Sequence, residues 1–191
     1  MIAGILLAAG VGSRFGSHYG SQKLLARLSD GRRIIDASVA HLAAACGGNI
    51  VAVVRRDSDL TDVLQTLGCE IVINENAEQG MGTSIAAGVA AKRAASGWLI
   101  ALGDMPSIRV DTMVAVINAL RGGAPIVVPT MAGRRGHPVG FSAKYCARLQ
   151  SLSGDIGARE IIKADANLVE EISVDDAGIF ADIDTPADLK V

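Results

Sequence analysis

The sequence predicts an α/β protein: a single domain over residues 1–191, a mostly parallel sheet sandwiched between helices, with a small antiparallel addition after residue 130. Three observations carry this. Apolar, strand-like runs alternate with segments of helical spacing, the rhythm of a parallel sheet with helices on both faces. Trp98–Leu102 is apolar throughout, as a strand buried on both faces must be. Ile2–Ala8 runs straight into a glycine-rich turn, the usual first turn of such sheets. No charge run, repeat, low-complexity stretch or linker divides the chain.

Taken in order, Ile2–Ala8 is the first strand and Ile34–Ala45 a helix stopped by Gly47-Gly48. Asn49–Val54 reads as the second strand, Leu60–Leu67 as a short helix ended by Gly68, and Cys69–Ile73 as the third strand. Thr83–Ala95 is a helix, Trp98–Leu102 the fourth strand, Val110–Leu120 a helix before Gly122-Gly123, and Pro125–Val128 the fifth strand. Beyond residue 130 the rhythm changes. Val139–Phe141 reads as a short strand, Ala143–Leu149 and Ala158–Ala164 as helices, Leu168–Ile172 and Phe180–Ile183 as strands, and Pro186 opens a last helical turn.

Composition narrows the function. Half the residues are hydrophobic but only 3% are aromatic, so the core must be Ala, Val, Ile and Leu. A chain of this length buries roughly 70% of its unfolded surface and needs no disulfide or metal staple. Cys46, Cys69 and Cys146 form no C-x-x-C pair, which suits buried thiols and a cytoplasmic protein. No basic region precedes the first apolar run, so no signal peptide is expected, and no apolar run approaches the ~18 residues of a membrane span. A net charge of -2 predicts no broad attraction to nucleic acid.

Chemistry concentrates at the predicted carboxyl edge of the sheet, where open parallel sheets bind ligands. Leu7-Ala8-Ala9-Gly10, then Gly12, Ser13, Arg14 and Gly16, form a turn whose backbone N–H groups suit phosphates. Arg14 and Lys23 add positive charge. The spacing G-x-G-x-x-x-G is one residue too long for the dinucleotide fingerprint, and no phosphate-loop lysine follows a glycine. Asp104, straight after the fourth strand, falls beside the same turn, where a carboxylate suits a Mg²⁺ ion between it and phosphates. Asp182 and Asp184, two apart in a predicted strand, share a face, and one or both are candidates to complete a metal site with Asp104. Asn74–Ser84, after the third strand, offers small polar groups for a base, although Thr83 or Ser84 also suits a helix cap. Arg134, Arg135 and His137 form a basic cluster suited to a second phosphate or to a solvated loop. His137 has no partner at zinc-ligand spacing.

In Leu6–Gly16 followed by Lys23-Leu24-Leu25, the chain resembles the opening of sugar-nucleotide and molybdopterin nucleotidyltransferases. Gly80–Ser84, Gly103–Pro106, Gly136–Val139, Gly154–Arg159 and Asp182–Pro186 are similar to the MobA-like NTP transferase family, and within it to molybdenum cofactor cytidylyltransferases. The resemblance implies a Rossmann-like sandwich of nucleotidyltransferase type and transfer of CMP from CTP to a molybdopterin acceptor. Pyrophosphate leaves, and a molybdoenzyme is a candidate receiver of the product. It further implies Arg14, Lys23 and Asp104 as catalytic residues. The nucleotide would lie on Leu7, Ala8, Ala9, Gly10, Gly12, Ser13, Arg14, Lys23, Gly80, Gly82, Thr83 and Ser84. Mg²⁺ would sit on Asp104 with Asp182 or Asp184, and the acceptor on Arg135, His137, Asp155 and Arg159. Ala-Ala-Gly at residues 8–10 goes with CTP in this family. Six residues, Ser17 to Gln22, separate Gly16 from Lys23, whereas relatives usually place the Lys two or three residues after that Gly; Gly20 is the other candidate for the equivalent glycine, and Ala77 stands where relatives often have Trp.

Three other readings stand beside this one. The first is guanylyl transfer, or another acceptor, within the same family. The second is an NADP-dependent oxidoreductase with Arg55-Arg56 on the 2′-phosphate. The third is a non-catalytic cofactor carrier.

Overall fold

A computed structural model describes residues 1–10, 20–155 and 157–190. Strand β1 (Ile2–Leu7) lies between β2 (Ile50–Arg55) and β4 (Gly97–Leu102), parallel to both. Strand β3 (Glu70–Asn74) pairs parallel with β2 at one edge of the sheet. From β1 the chain therefore builds outward through β2 and β3, then returns to the other side of β1. That reversal opens a crevice beyond the carboxyl ends of β1 and β4.

The remaining strands are β5 (Ile126–Met131), β6 (Arg134–Arg135), β7 (Val139–Ser142) and β8 (Val169–Ser173). The order is β3-β2-β1-β4-β7-β5-β6, with β8 parallel to β5. The antiparallel addition is present, but it is not peripheral: β7 is wedged between β4 and β5 and pairs antiparallel with both. The direct crossover from β4 to β5 leaves one strand position vacant, and β7 fills it.

Helices cover both faces. α1 (Ile34–Cys46), α2 (Thr61–Thr66) and α4 (Val110–Arg121) supply Leu42, Leu64 and Val116 to one core layer, with Leu99 and Ala101 of β4. α3 (Met81–Ala91), α5 (Cys146–Gln150) and α6 (Arg159–Ala164) supply Val89, Leu149 and Ile161 to the other, with Trp98 and Ile100. β4 thus sends alternate side chains to opposite faces, as its unbroken apolar run requires. Trp98 has no exposed surface, and its indole N–H donates to the Lys92 carbonyl at 3.1 Å, just past the end of α3. Gly47, at φ 61°, closes α1 in the left-handed conformation glycine tolerates.

Local departures from expectation have identifiable causes. Helix α3 starts at Met81, with Gly80 at the cap position, so neither Thr83 nor Ser84 is the cap. The predicted strand Phe180–Ile183 is absent. A 3₁₀ turn, Ala177–Phe180, is followed by irregular chain that no strand edge pairs, so the shared-face argument for Asp182 and Asp184 does not hold. Cys46 and Cys69 are buried, whereas Cys146 is half-buried. Burial pushes the Cys46 thiol up to about 12 and that of Cys69 to about 11, which keeps both protonated. Among the described residues, no helix is long and apolar enough to cross a membrane.

Candidate active site

The crevice is built from the end of β1 outward. The Gly103 N–H donates to the Leu7 carbonyl at 2.9 Å, tying the loop after β4 to β1. The buried Ser38 hydroxyl of α1 donates to the Gly103 carbonyl at 2.8 Å. Asp104, next in the chain, is thereby fixed half-buried at the crevice. Lys23 arrives from the other side on a 3₁₀ turn, Gly20–Leu25, whose Leu24 is anchored in the core. Its Nζ donates to Asp104 Oδ2 at 2.9 Å and to Asp184 Oδ1 at 3.1 Å. The longer loop before Lys23 therefore does not keep it from Asp104. Lys23 is only 8% exposed. Burial opposes its charge, but the hydrogen bonds and charges of Asp104 and Asp184 outweigh that and hold its pKa above the ordinary lysine value.

Asp184 reaches this point because the C-terminal segment is fastened at several places. The buried Asp176 carboxylate accepts from the Arg109 N–H at 2.9 Å, the Thr112 hydroxyl at 2.7 Å and the Gly178 N–H at 2.9 Å. This pins the Ala177–Phe180 turn to the start of α4. The His137 N–H donates to the Ile179 carbonyl at 3.0 Å, and the Ile183 N–H donates to the Asp104 carbonyl at 2.9 Å. Ile183 is buried, Asp184 is half-buried and Asp182 is exposed. Asp184 shares the lysine, while Asp182 acts on His137 by its charge. Burial lowers the His137 pKa below its usual value, against the opposing pull of Asp104 and Asp182. Its Nδ1 is buried and has no hydrogen-bond partner among the described residues.

The end of β3 is organised differently. Asn74 Nδ2 donates to the Thr83 and Ser84 hydroxyl oxygens, both at 2.9 Å. The Thr83 hydroxyl itself lies 2.8 Å from the Gly80 carbonyl and 2.9 Å from that of Asn76. Gly80 and Gly82 face the 153–155 loop, and the Gly82 N–H donates to the Gly154 carbonyl at 2.9 Å. A Cβ on Gly80 would lie 2.3 Å from the Gly154 carbonyl carbon, and one on Gly82 2.8 Å from Ser153 backbone. These glycines are required by the packing of two loops. What the segment can still offer a ligand is mainly backbone.

The other expected residues are spread around this frame. Ala8 is buried, Leu7 and Ala9 are half-buried, and Gly10 faces open space, with nothing within 4 Å of where a Cβ would stand. Gly12, Ser13 and Arg14 lie outside the described residues. Asp155 and Arg159 are exposed, Arg159 at the start of α6. The basic cluster is split. Arg135 donates from Nε to Glu171 Oε1 at 2.7 Å, and Arg134 stacks on Phe180 with its guanidinium carbon 4.4 Å from the ring centre. His137 is the member that senses Asp104.

Asp104 and Asp184 present hard oxygen donors to one cationic centre, a donor set that suits Mg²⁺ or Mn²⁺ completed by substrate oxygens. Of Asp182 and Asp184, it is Asp184 that shares Lys23 with Asp104, and among the described residues no three His, Cys, Asp or Glu side chains are grouped to hold a metal. Sequence reasoning missed Asp176 and Ser38. The Asp-x-Gly of residues 176–178 is a turn signal that pointed to the first; a serine inside a helix carries no such signal.

Comparison with known proteins places this geometry in a family. The MobA-like NTP transferase domain matches residues 4–170. The chain is 31% identical over 193 residues to nicotine blue oxidoreductase of Paenarthrobacter nicotinovorans, covering 96% of this chain and 92% of that one. Among solved structures, Rv0371c of Mycobacterium tuberculosis superposes with a TM-score of 0.81 at 26% identity, over 98% of this chain and 94% of that one. A manganese complex of the same mycobacterial protein gives 0.73 at 22% identity, covering 100% and 93%. A nucleotidyl transferase from Methanothermobacter gives 0.77 at 22% identity, covering 98% and 94%.

Proposed function

The chain belongs to the MobA-like NTP transferase domain family, and from that premise we propose that it is a Mg²⁺-dependent nucleotidyltransferase that moves CMP from CTP onto a molybdopterin-type acceptor. The observation that carries this is one buried ammonium held by two carboxylates, Asp104 and Asp184, beside the first strand turn. An acceptor phosphate oxygen forms a bond to the α-phosphorus of the nucleotide. The bond from that phosphorus to the bridging oxygen breaks, and pyrophosphate leaves. Such chemistry asks the protein mainly for positioning and for charge opposite the phosphates.

Each residue then has a task. The turn at Leu7–Gly10, continuing through Gly12 and Ser13, receives the phosphates on backbone N–H groups, with Arg14 and Lys23 neutralising their charge. Asp104 and Asp184 hold the divalent cation, which when bound polarises the phosphate oxygens. Asp182 acts by its charge on His137, as Asp104 also does. Gly80, Gly82, Thr83 and Ser84 shape the base side through backbone. His137, Asp155 and Arg159 face the acceptor, and Arg135 joins them by exchanging Glu171 for an acceptor phosphate. The Ala8-Ala9-Gly10 turn favours CTP over GTP. A molybdoenzyme is the fitting recipient of the product, and the cytoplasm the fitting compartment.

The test is pyrophosphate release from CTP with Mg²⁺ and molybdopterin, compared with GTP and with no acceptor. Acceptor-dependent release from CTP, lost in Asp104→Asn, is expected. Release from no nucleotide would overturn the reading. A second reading, an oxidoreductase, is favoured by the name of the 31%-identical relative, and NADP would need its 2′-phosphate held at Arg55-Arg56. Against it, the exposed Arg56 guanidinium is engaged by Glu75, with Nε 2.6 Å from Oε2, so a 2′-phosphate would have to displace that carboxylate.

A further inference from the structure

Lys23 stands where the proposed cation would bind. Its ammonium touches one oxygen of Asp104 and one of Asp184, and the residue is almost fully buried. Among the described residues no third acidic or imidazole ligand is grouped there, so a cation would bind to the double negative charge of this pair. One ammonium already offsets half of it. A divalent ion entering beside that ammonium would meet a like charge at contact range in a poorly solvated crevice, where repulsion is strong.

We propose that Lys23 and the divalent cation compete for the Asp104–Asp184 pair, so that the pair takes the cation tightly only when a nucleotide polyphosphate draws the ammonium off. The inference rests on reading these two carboxylates as the cation site. Leu24 fixes the backbone in the core, so the exchange needs only the flexible four-carbon stem of Lys23 to swing. The phosphates that would receive it lie at the turn after β1, where Gly10 borders open space and Leu7 is bonded to Gly103, next to Asp104. Cation and nucleotide then strengthen each other's binding by the same factor, as linkage demands. The empty protein rests with half of the pair's charge offset by Lys23 rather than as two carboxylates open to any metal.

The experiment is Mn²⁺ binding to the full chain without nucleotide, read by the electron paramagnetic resonance of free Mn²⁺. Lys23→Met is expected to bind Mn²⁺ at least about tenfold more tightly than the wild type. Lys23→Arg, which keeps the charge, stays at the wild-type affinity. Adding Asp184→Asn to Lys23→Met abolishes the gain, which locates the ion. Equal or weaker Mn²⁺ binding by Lys23→Met would overturn the proposal, because it would mean that the ion and the ammonium do not compete. If Lys23→Met is unfolded without metal, circular dichroism replaces resonance. Refolding by Mn²⁺ at concentrations that leave the wild-type melting point unmoved supports competition, and failure to refold contradicts it. The readout needs no turnover. A gain in affinity without pyrophosphate release would sink the proposed reaction and leave the competition standing; release without the gain would do the reverse.

Discussion

At the ends of β1 and β4, Lys23, Asp104 and Asp184 come from three distant stretches of chain and turn their charges toward one another at the crevice. At the end of β3, Asn74, Thr83 and Ser84 spend their polar groups on each other, and Gly80 and Gly82 are covered by the 153–155 loop. Both regions are glycine-rich and polar in sequence. They differ in what the fold leaves available: charged side chains in the first, a shaped backbone in the second. Substitutions should therefore strike chemistry in one region and stability in the other.

The largest expected effect is at Asp104. Replacing it by Asn should lower pyrophosphate release by roughly 10²–10³. The melting temperature should fall less than in Gly80→Ala, because Lys23 keeps its ion pair with Asp184. A large loss of stability with unchanged turnover would invert the contrast. Gly80→Ala should do the opposite. Gly80 combines φ 107° with a Cβ position 2.3 Å from Gly154, so its replacement should cost about 3 kcal/mol or more. At this chain length that lowers the melting temperature by roughly 6–12 °C. Gly80→Ala melting as the wild type, with only a poorer KM for nucleotide, would show that the glycine serves the ligand instead.

Thr83→Val sharpens the comparison with a smaller change. It removes the hydroxyl beside Asn74, Asn76 and Gly80 and should cost about 1 kcal/mol in denaturant unfolding. Activity per folded molecule should stay near that of the wild type. The smallest expected effect is at His137 and depends on pH. Its folded pKa lies below the ordinary 6.5, so the folded protein binds fewer protons there than the unfolded chain. Its contribution is complete above about pH 6.5 and is lost as pH falls through the folded pKa. His137→Gln should flatten the acid decline in melting temperature and leave the neutral range almost unchanged.

Much of this was legible in the sequence, and the reasons differ by residue. Ile2–Leu7, Gly97–Leu102 and the helices between them follow apolar periodicity, which reflects burial directly. Asp104 was legible because a strand end fixes the position of the residue that follows it. Asp184 was a candidate through the resemblance of Asp182–Pro186 and through a shared strand face, and the second ground fails because no strand carries it. Its place depends on the Ile183 N–H bonding Asp104 and on Asp176 pinning the preceding turn, contacts between residues about 70 to 80 apart in the chain. Arg135 looked free because sequence cannot show Glu171 reaching it from β8. The insertion of β7 between β4 and β5 was hidden for the same reason, since strand order is a matter of long-range pairing.

The claim on which the rest depends is that Asp104 and its lysine-bound partner Asp184 mediate joint binding of nucleotide and divalent cation. Thermal denaturation with CTP, GTP, ATP, UTP and NADPH, each with and without Mg²⁺, in the wild type and in Asp104→Asn tests it most directly. The expected result is a rise in wild-type melting temperature with CTP and Mg²⁺ together that exceeds either alone and is abolished by Asp104→Asn. A rise with NADPH that is indifferent to Mg²⁺ and to Asp104, with none for any nucleoside triphosphate, would contradict it.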